Sequence, residues 1–359
     1  MFTNAWHIGT FFKIPVKIHW TFLLIIAYVI GYGISEGATV MIIAVAITSV
    51  LSLFLCVLLH EFGHALTARR YNVETEDIIL LPIGGVARLR NMPDKPIKEL
   101  VIAIMGPMVN LVIAIILFAV LVLLHGVEYF NTTNLTHIDE SSFLSVLPLL
   151  LEANIALIIF NMIPSFPMDG GRVLRALLAM KFGKLKATKW ASIIGQIICV
   201  GFIIYGFTSG QYLLIVIGFF IFASALSEYN AVKIDYKYKD KNVSDAVRNT
   251  YTPLIEYNTL EEAKLQIDTV TDNSFLVINL SGQQCGTITR SKIEKEKKQN
   301  AAQRISQVMN QNLQSISADS PLIHAYYLLM QGIDLLLVIK GNEIIGIVDQ
   351  ESLQLATVE

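Results

Sequence analysis

The sequence predicts a polytopic α-helical membrane protein of about six spans, followed by a C-terminal cytoplasmic α/β domain. Hydrophobic residues make up 54% of the 359-residue chain and charged residues only 16%, whereas a soluble globular protein has about 25% charged residues. Long apolar runs occupy the N-terminal part, and the composition becomes polar after about residue 232. We therefore expect a membrane domain at 1–231 and a cytoplasmic domain at 232–359.

Composition also excludes some kinds of site and partner. Cys56, Cys199 and Cys285 are scattered, so they predict neither a disulfide framework nor a cysteine-based zinc site. The net charge of −2 gives no indication of nucleic-acid binding, and no such partner is expected. The first 20 residues lack the pattern of a signal peptide, so the first apolar run is expected to remain as a span.

The predicted spans follow from the length of the apolar runs. A helix that crosses the bilayer needs about 20 mostly apolar residues. Six runs reach or approach this length, the first and last being short: 18–34, 39–66, 100–125, 143–163, 189–207 and 211–227.

The orientation follows from lysine and arginine in the connecting segments. Basic residues lie in the N-terminal arm and after the second and fourth runs, whereas the segments 35–38, 126–142 and 208–210 contain neither lysine nor arginine. Cytoplasmic loops carry the excess of basic residues. Both termini are therefore predicted in the cytoplasm, with the protein in the plasma membrane.

The stretch LLHEFGHALTARR, residues 58–70, contains a metal-binding pattern at the end of the second run. Because residues four apart share a helix face, His60 and His64 can bind one zinc ion while Glu61 activates a zinc-bound water as general base. Arg70 marks the cytoplasmic interface, which places His64 about 9 Å and His60 about 15 Å below it. Ionisable groups at such depth are usually functional; the alternative is a pair of histidines that only anchor the helix.

A catalytic zinc ion usually has three protein ligands, and the segment NMIPSFPMDGGR, residues 161–172, offers the third. Its prolines and glycines interrupt the helix at the cytoplasmic end of the fourth run. Irregular backbone at membrane depth must face protein or a water-filled cavity. Asp169 lies within this interruption and is predicted to bind the metal; the alternative is an N-cap for the following helix.

Residues 72–92, NVETEDIILLPIGGVARLRNM, are too short to span and predict a hairpin that dips into the membrane from the cytoplasmic side. A free strand edge can pair with an extended peptide, and a helical substrate must unwind before its carbonyls can be attacked. One hypothesis is that the hairpin, with Gly84 and Gly85 at its turn, binds the unwound substrate. The other is that it is a structural plug over the site.

These motifs resemble those of the site-2 protease family of intramembrane zinc metalloproteases. HEFGH, LLPIGGVA (80–87), GPMVN (106–110) and NMIPSFPMDGG occur in the order of the family, over roughly residues 10–225. The resemblance implies one zinc ion held by His60, His64 and Asp169, with Glu61 as the base. It also implies that Asn161 positions the substrate backbone or stabilises the oxyanion.

The C-terminal part contains a weak repeat. VSDAVRNTYTPLIEYNTLEEA aligns with ISQVMNQNLQSISADSPLIHA, and each copy is predicted as a helix, a short strand, a longer helix and two strands. The pair resembles a tandem CBS domain, which one branch of the site-2 protease family carries; this implies a sensory role or homodimerisation. Nucleotide-binding members carry an aspartate where this chain has Lys292 and Ser352, which argues against adenine nucleotide binding. A regulatory module without a ligand is the alternative.

The sequence thus predicts an intramembrane zinc endopeptidase with the lipid bilayer as its environment. Expected substrates are single-pass transmembrane proteins or signal-peptide-like segments. A metal transporter or metal sensor is the alternative from another class, although it would gain nothing from a glutamate placed as a base. A third hypothesis, an inactive scaffold that only holds client helices, conflicts with the intact HExxH motif.

Overall fold

The computed structural model describes residues 5–82, 84–90, 93, 95–127, 129–132 and 142–356. The chain forms two compact units, residues 1–232 and 233–359. The first contains the apolar helices and a small β-sheet, and the second is an α/β unit.

The sheet of the first unit has four strands in the order β1-β2-β3-β4. The strands β1 and β2 form one antiparallel hairpin, β3 and β4 form another, and β2 pairs with β3 in parallel. Their bounds are β1 (Ala5–Phe11), β2 (Ile14–His19), β3 (Thr75–Leu81) and β4 (Gly84–Leu89). The hairpin predicted within 72–92 is therefore present as β3 and β4, but Gly84 and Gly85, predicted at its turn, belong to β4 and pair with Leu81 and Leu80. Residues 83, 91 and 92 lie outside the described residues.

The first hairpin is not evident from the sequence because of its turn. Phe12 and Lys13 both have positive φ angles, 52° and 62°, which is the backbone of a two-residue type I′ turn. Such turns are recognised in sequences by asparagine, aspartate or glycine. Phe-Lys gives no such signal, and no strands were predicted in the N-terminal arm.

Five helices in the described residues are long and apolar enough to cross a membrane. They are α2 (Val40–Arg70), α3 (Pro96–His125), α5 (Val146–Asn161, extended at its start by a 3-10 turn, Phe143–Ser145), α7 (Lys184–Ser209) and α8 (Tyr212–Tyr238). The first predicted run becomes α1 (Phe22–Ser35), whose 14 residues extend about 21 Å, less than the bilayer thickness of about 30 Å. Residues 18 and 19 of that run belong to β2 instead. The helices α4 (Tyr129–Thr132) and α6 (Asp169–Phe182) complete the unit.

The sheet packs on α2 at the turn that carries the HExxH motif. Ile14, Val16 and Ile78 from the strands form one buried cluster with Phe62 and Ala65 of α2. Burial of such side chains contributes about 1.5–3 kcal/mol each. This cluster places β4 beside the helix face that contains Glu61.

A buried carboxylate joins three strands of the sheet. Asp77 on β3 is 1% exposed and accepts hydrogen bonds from Lys17 Nζ on β2 at 2.7 Å and from Arg88 Nε and Nη2 on β4, both at 2.5 Å. The Arg88 guanidinium, and to a smaller extent Lys17, holds the pKa of Asp77 below its usual value. The ionised carboxylate therefore helps to fix β2 and β4 against β3.

The second unit consists of two copies of one arrangement. The first copy contains a 3-10 turn (Val243–Ala246), β5 (Leu254–Ile255), α9 (Leu260–Ile267), β6 (Ser274–Ile278), β7 (Gln284–Thr289) and α10 (Arg290–Lys297). The second contains α11 (Ile305–Val308), β8 (Ser315–Ser317), α12 (Leu322–Met330), β9 (Leu336–Lys340), β10 (Glu343–Val348) and α13 (Gln350–Leu355). The predicted repeat is confirmed, with two differences in its elements: the first copy begins with a 3-10 turn instead of a helix, and each copy ends with a further short helix, α10 or α13.

The two copies are joined by equivalent exchanges of backbone. Arg248, ahead of the first copy's strands, bridges to Ile347 in β10, and Asn310, ahead of the second copy's strands, bridges to Thr287 in β7. Each copy therefore extends the sheet of the other, which gives the unit a pseudo-two-fold arrangement.

Replacing Asp77 by Asn should destabilise the first unit at pH 7, because Lys17 and Arg88 lose a buried anionic partner. A carboxylate with a lowered pKa stabilises above its unfolded pKa of about 3.9 and loses this contribution as the pH falls through its folded pKa. The unfolding temperatures of wild type and Asp77→Asn in detergent should thus differ at pH 7 and converge under acid conditions. Glu76→Gln is the matched control, since the half-exposed Glu76 pairs with Arg90 at the surface and should contribute about 1 kcal/mol or less. Equal unfolding temperatures of wild type and Asp77→Asn at pH 7 would contradict this role.

Candidate metal centre

The two histidines of the motif lie on one buried face of α2. His60 is 5% exposed and His64 is 3% exposed. Their spacing of four residues brings the two Nε2 atoms to 3.1 Å from each other. Two imidazole nitrogens are thereby directed to one point.

Asp169 completes a triad with these histidines. Its Oδ2 atom lies 3.1 Å from the Nε2 of His60 and 3.1 Å from the Nε2 of His64, and the residue is 7% exposed. Asp169 is the first residue of α6, whose N-cap is Met168. The alternative prediction, that Asp169 caps this helix, is therefore wrong.

Glycines after Asp169 allow the preceding loop to fold against the helix. A Cβ atom on Gly170 would lie 2.3 Å from the Ile163 carbonyl oxygen, and one on Gly171 would lie 2.6 Å from the Ser165 carbonyl carbon. Both distances are shorter than side-chain atoms tolerate. The Gly-Gly pair therefore fixes where Asp169 enters the site.

The triad fits the ligand spacing of a zinc site. Three donor atoms 3.1 Å apart are close to the spacing of about 3.3 Å between ligands of a tetrahedral zinc ion with bonds of about 2.0 Å. Within the described residues, this is the group of histidine, cysteine and carboxylate side chains that could hold a metal ion. Two imidazoles and one carboxylate are also a ligand set of catalytic zinc.

Hydrogen bonds to the second ring nitrogens orient both histidines. His64 Nδ1 lies 2.8 Å from the carbonyl oxygen of Ile102, and His60 Nδ1 contacts Asn110 Oδ1, both on α3. Since both acceptors need an N–H, each Nδ1 carries the hydrogen and each Nε2 keeps its lone pair for a metal. Asn110 in turn donates from Nδ2 to Asn154 Oδ1 at 2.7 Å, and Asn154 donates to the Leu150 carbonyl.

Asn110 is thus a site residue whose bond to His60 was not predicted from the sequence. Its only signal there is the position of an amide within an apolar run, in GPMVN. Asn110 and Asn154 are both fully buried, and buried amides require hydrogen-bond partners. Which partner they find depends on how α2, α3 and α5 pack.

The absence of a side chain at Gly106 lets α3 approach the triad. A Cβ atom on Gly106 would lie 2.2 Å from His64 Nε2 and 2.7 Å from His60 Nε2. Nothing larger than glycine can occupy this position while the two histidines keep their geometry.

A buried ion cluster holds α6 against its neighbours. Arg175 of α6 is 3% exposed and donates from Nε to Glu99 Oε1 of α3 at 2.7 Å, and its Nη1 contacts Glu228 of α8. Removing one member would leave an uncompensated buried charge, which typically costs 3–5 kcal/mol. Because Glu99 lies one turn before Ile102, the cluster links the helix of Asp169 to the carbonyl that orients His64.

Glu61 lies beside the histidines and faces the sheet. Its Oε2 accepts a hydrogen bond from the backbone N–H of Ala87 on β4 at 3.1 Å. A Cβ atom on Gly85 would lie 2.6 Å from Glu61 Cγ, so the glycine provides the space that this side chain occupies.

The structure does not bring every predicted residue to the triad. Gly84 has a positive φ of 137°, and its Cβ position has neither Glu61 nor a ligand residue within 4 Å. Asn161 ends α5 and is partly buried. Its role in binding substrate therefore stays a prediction.

Asp349, three residues before Ser352, caps α13, and its carboxylate already has partners within the chain. It accepts from the N–H of Ser352 at 2.9 Å and from Arg248 Nη2 at 2.9 Å. Arg248 also donates to Asp272 at 2.8 Å. These internal bonds hold the end of β10 against residues that precede β5.

Gly106→Ala should lower the affinity for zinc at least about tenfold, because displacing ligating imidazoles has effects of that order or greater. Zinc content after dialysis against graded chelator measures this. Gly201→Ala is the control, since nothing lies within 4 Å of the Cβ position in that glycine of α7. Equal zinc retention by both variants would contradict the close approach of α3 to the triad.

The first unit is similar to known zinc metalloproteases. The family model described as Peptidase family M50 matches residues 48–137 and 130–205. A zinc metalloprotease from Methanocaldococcus jannaschii is 38% identical over 232 residues, which are 65% of this chain and 62% of that protein. The chain thus spans less than two thirds of this relative's length.

Two solved structures are also similar. The site-2 protease from Methanocaldococcus jannaschii is 37% identical, with a TM-score of 0.45, and the match covers 63% of this chain and 95% of that one. A hemolysin-like protein containing a CBS domain, from Oenococcus oeni, is 14% identical with a TM-score of 0.32, over 36% of this chain and 98% of the other.

The sequence motifs, the family model and the 38% identity to the Methanocaldococcus jannaschii metalloprotease agree. The chain is a multi-pass membrane protein with apolar helices of spanning length, and it belongs to peptidase family M50, the site-2 protease family.

Proposed function

We propose that this chain is an intramembrane zinc endopeptidase that hydrolyses peptide bonds within or next to transmembrane segments. The observation that carries the proposal is the buried triad of His60, His64 and Asp169, with Glu61 adjacent on the same helix. The helix α2 is long and apolar enough to cross the membrane, which supports a site that transmembrane substrates can reach.

The three triad residues would hold one zinc ion per chain through His60 Nε2, His64 Nε2 and a carboxylate oxygen of Asp169. When bound, zinc supplies a Lewis acid that polarises a carbonyl and makes water more acidic. The protein residues keep the ligand atoms buried and oriented, through Asn110 for His60 and through the Ile102 carbonyl for His64.

Glu61 would act as general base and then as general acid. Its carboxylate takes a proton from the attacking water as the water oxygen bonds to the scissile carbonyl carbon, and the same proton passes to the departing nitrogen as the C–N bond breaks. We assign to the Asn161 amide the positioning of the substrate backbone.

The outer edge of β4 would bind the substrate in an extended form. This strand ends the sheet, and the Ala87 N–H points to Glu61 rather than to β3. Since residues alternate along a strand, Gly85 and Ala87 present their backbone groups at the free edge. Pairing of an unwound segment with this edge would bring its carbonyls beside Glu61.

Topology and partners follow from the same proposal. The basic connecting segments support a topology with both termini in the cytoplasm and the protein in the plasma membrane. Substrates would be single-pass membrane proteins or signal-peptide-like segments. The C-terminal pair would act as a regulatory module and a means of homodimerisation.

Glu61→Gln should retain about one zinc ion per chain but lose at least about 10³-fold in cleavage of a model transmembrane substrate, because the proton acceptor is removed. Asp169→Asn is the comparison variant and should lose zinc. Metal content and cleavage are measured on purified protein in detergent. If Glu61→Gln cleaves as fast as wild type, the proposed base is wrong. If neither wild type nor Glu61→Gln cleaves the substrate but both transport metal into vesicles, the protein is a metal transporter and the protease proposal is wrong.

Gly85→Leu should reduce kcat/KM at least about tenfold while zinc content is preserved, because its side chain displaces Glu61 and covers the free edge. Val86→Leu is the control, since Val86 is exposed on the same strand. Loss of zinc in Gly85→Leu, with Val86→Leu unchanged, would instead indicate that the hairpin is a structural plug.

A further inference from the structure

The backbone N–H of Ala87 is a donor that the sheet itself does not use. Glu61 Oε2 accepts from it at 3.1 Å. In the antiparallel pairing of β3 with β4, Ala87 lies opposite Ile78, and Ile78 itself pairs with Val16 on its other side. The donor at Ala87 is therefore part of the free edge.

The same N–H is the group that an added strand would require. A peptide that extends a sheet bonds to the outward N–H and C=O groups of the edge strand. One N–H makes one well-aligned hydrogen bond at a time. The Glu61 carboxylate and a substrate carbonyl therefore compete for one donor.

We propose that the Ala87 amide is a positioning group that binds Glu61 and the substrate alternately. Without substrate it holds the Glu61 carboxylate against β4. A substrate strand that pairs with β4 takes the N–H and releases the carboxylate toward the scissile bond. This inference rests on the proposed protease function and on docking at the edge of β4.

The consequence is a preference for extended over helical segments. A helix has no free carbonyl to offer Ala87, because its carbonyls are bonded within the helix. When the substrate segment is helical, the Glu61 carboxylate therefore stays bonded to the Ala87 N–H. Only an unwound segment both pairs with the strand and frees the base.

Substrate binding by wild type and a set of variants tests the competition directly. Full-length, zinc-loaded wild type, Glu61→Ala, Glu61→Gln, Ala87→Pro and the double variant Glu61→Ala/Ala87→Pro are each mixed rapidly with a fluorescent model transmembrane peptide. Kd for the peptide is obtained from the change in fluorescence that precedes cleavage. Proline removes the N–H at Ala87 and also restricts the local backbone, and an outward position on an edge strand tolerates it. Ala87→Gly keeps the N–H and is the matched control.

The competition predicts a specific pattern of affinities. Glu61→Ala should bind the peptide at least about fivefold more tightly than wild type, because a charged competitor for the N–H is gone. Glu61→Gln, a neutral and weaker acceptor, should be intermediate. Ala87→Pro should bind more weakly, and adding Glu61→Ala to it should produce no further tightening.

Two results would overturn the inference. One is equal affinity of wild type and Glu61→Ala, which requires no proline variant and is unaffected by any misfolding of Ala87→Pro. The other is an equal increase in peptide affinity when Glu61→Ala is introduced into wild type and into Ala87→Pro. Binding is recorded before turnover, so affinity and cleavage are measured independently. If the proposed protease function is wrong, wild type shows the predicted affinities but does not cleave the peptide.

Discussion

Three ligand atoms have to meet at 3.1 Å from one another inside a unit whose helices are mostly apolar, and much of the surrounding structure follows from this requirement. Buried polar atoms need partners, so both Nδ1 atoms are bonded to α3, and Asn110 is bonded to Asn154. Space for the two imidazoles exists only because Gly106 has no side chain. Few positions around the triad can therefore change independently.

Asp169 depends on the same packing from the other side. It begins a short helix after an irregular loop, and that helix is held to α3 and α8 by Arg175. The buried Arg175–Glu99 pair and the His64–Ile102 bond both act on the first two turns of α3. The α2 histidines and the helix of Asp169, α6, are thus both held by contacts with α3. This common contact explains how α2, α3 and α6 meet at one site.

Much of the site could be predicted because its spacing is local. The histidines four apart share a helix face whatever the remainder of the chain does, and the interruption at residues 161–172 needs no knowledge of packing. The tail was recognised for a similar reason, since two copies of one pattern reinforce each other. In contrast, the partner of Asn110, the contact of Gly106 with both imidazoles and the bond from Ala87 to Glu61 depend on the register between elements distant in sequence. The first hairpin was missed because Phe12 and Lys13 occupy a turn that ordinarily uses asparagine or glycine.

The most direct test of the central claim is zinc K-edge X-ray absorption of the purified, zinc-loaded protein. The triad of His60, His64 and Asp169 predicts nitrogen and oxygen ligands at about 2.0–2.1 Å, with the scattering pattern of two imidazoles and no sulfur. A sulfur ligand at about 2.3 Å, as from the buried Cys56 or Cys199, would contradict the assigned site. So would a zinc spectrum unchanged by Asp169→Asn.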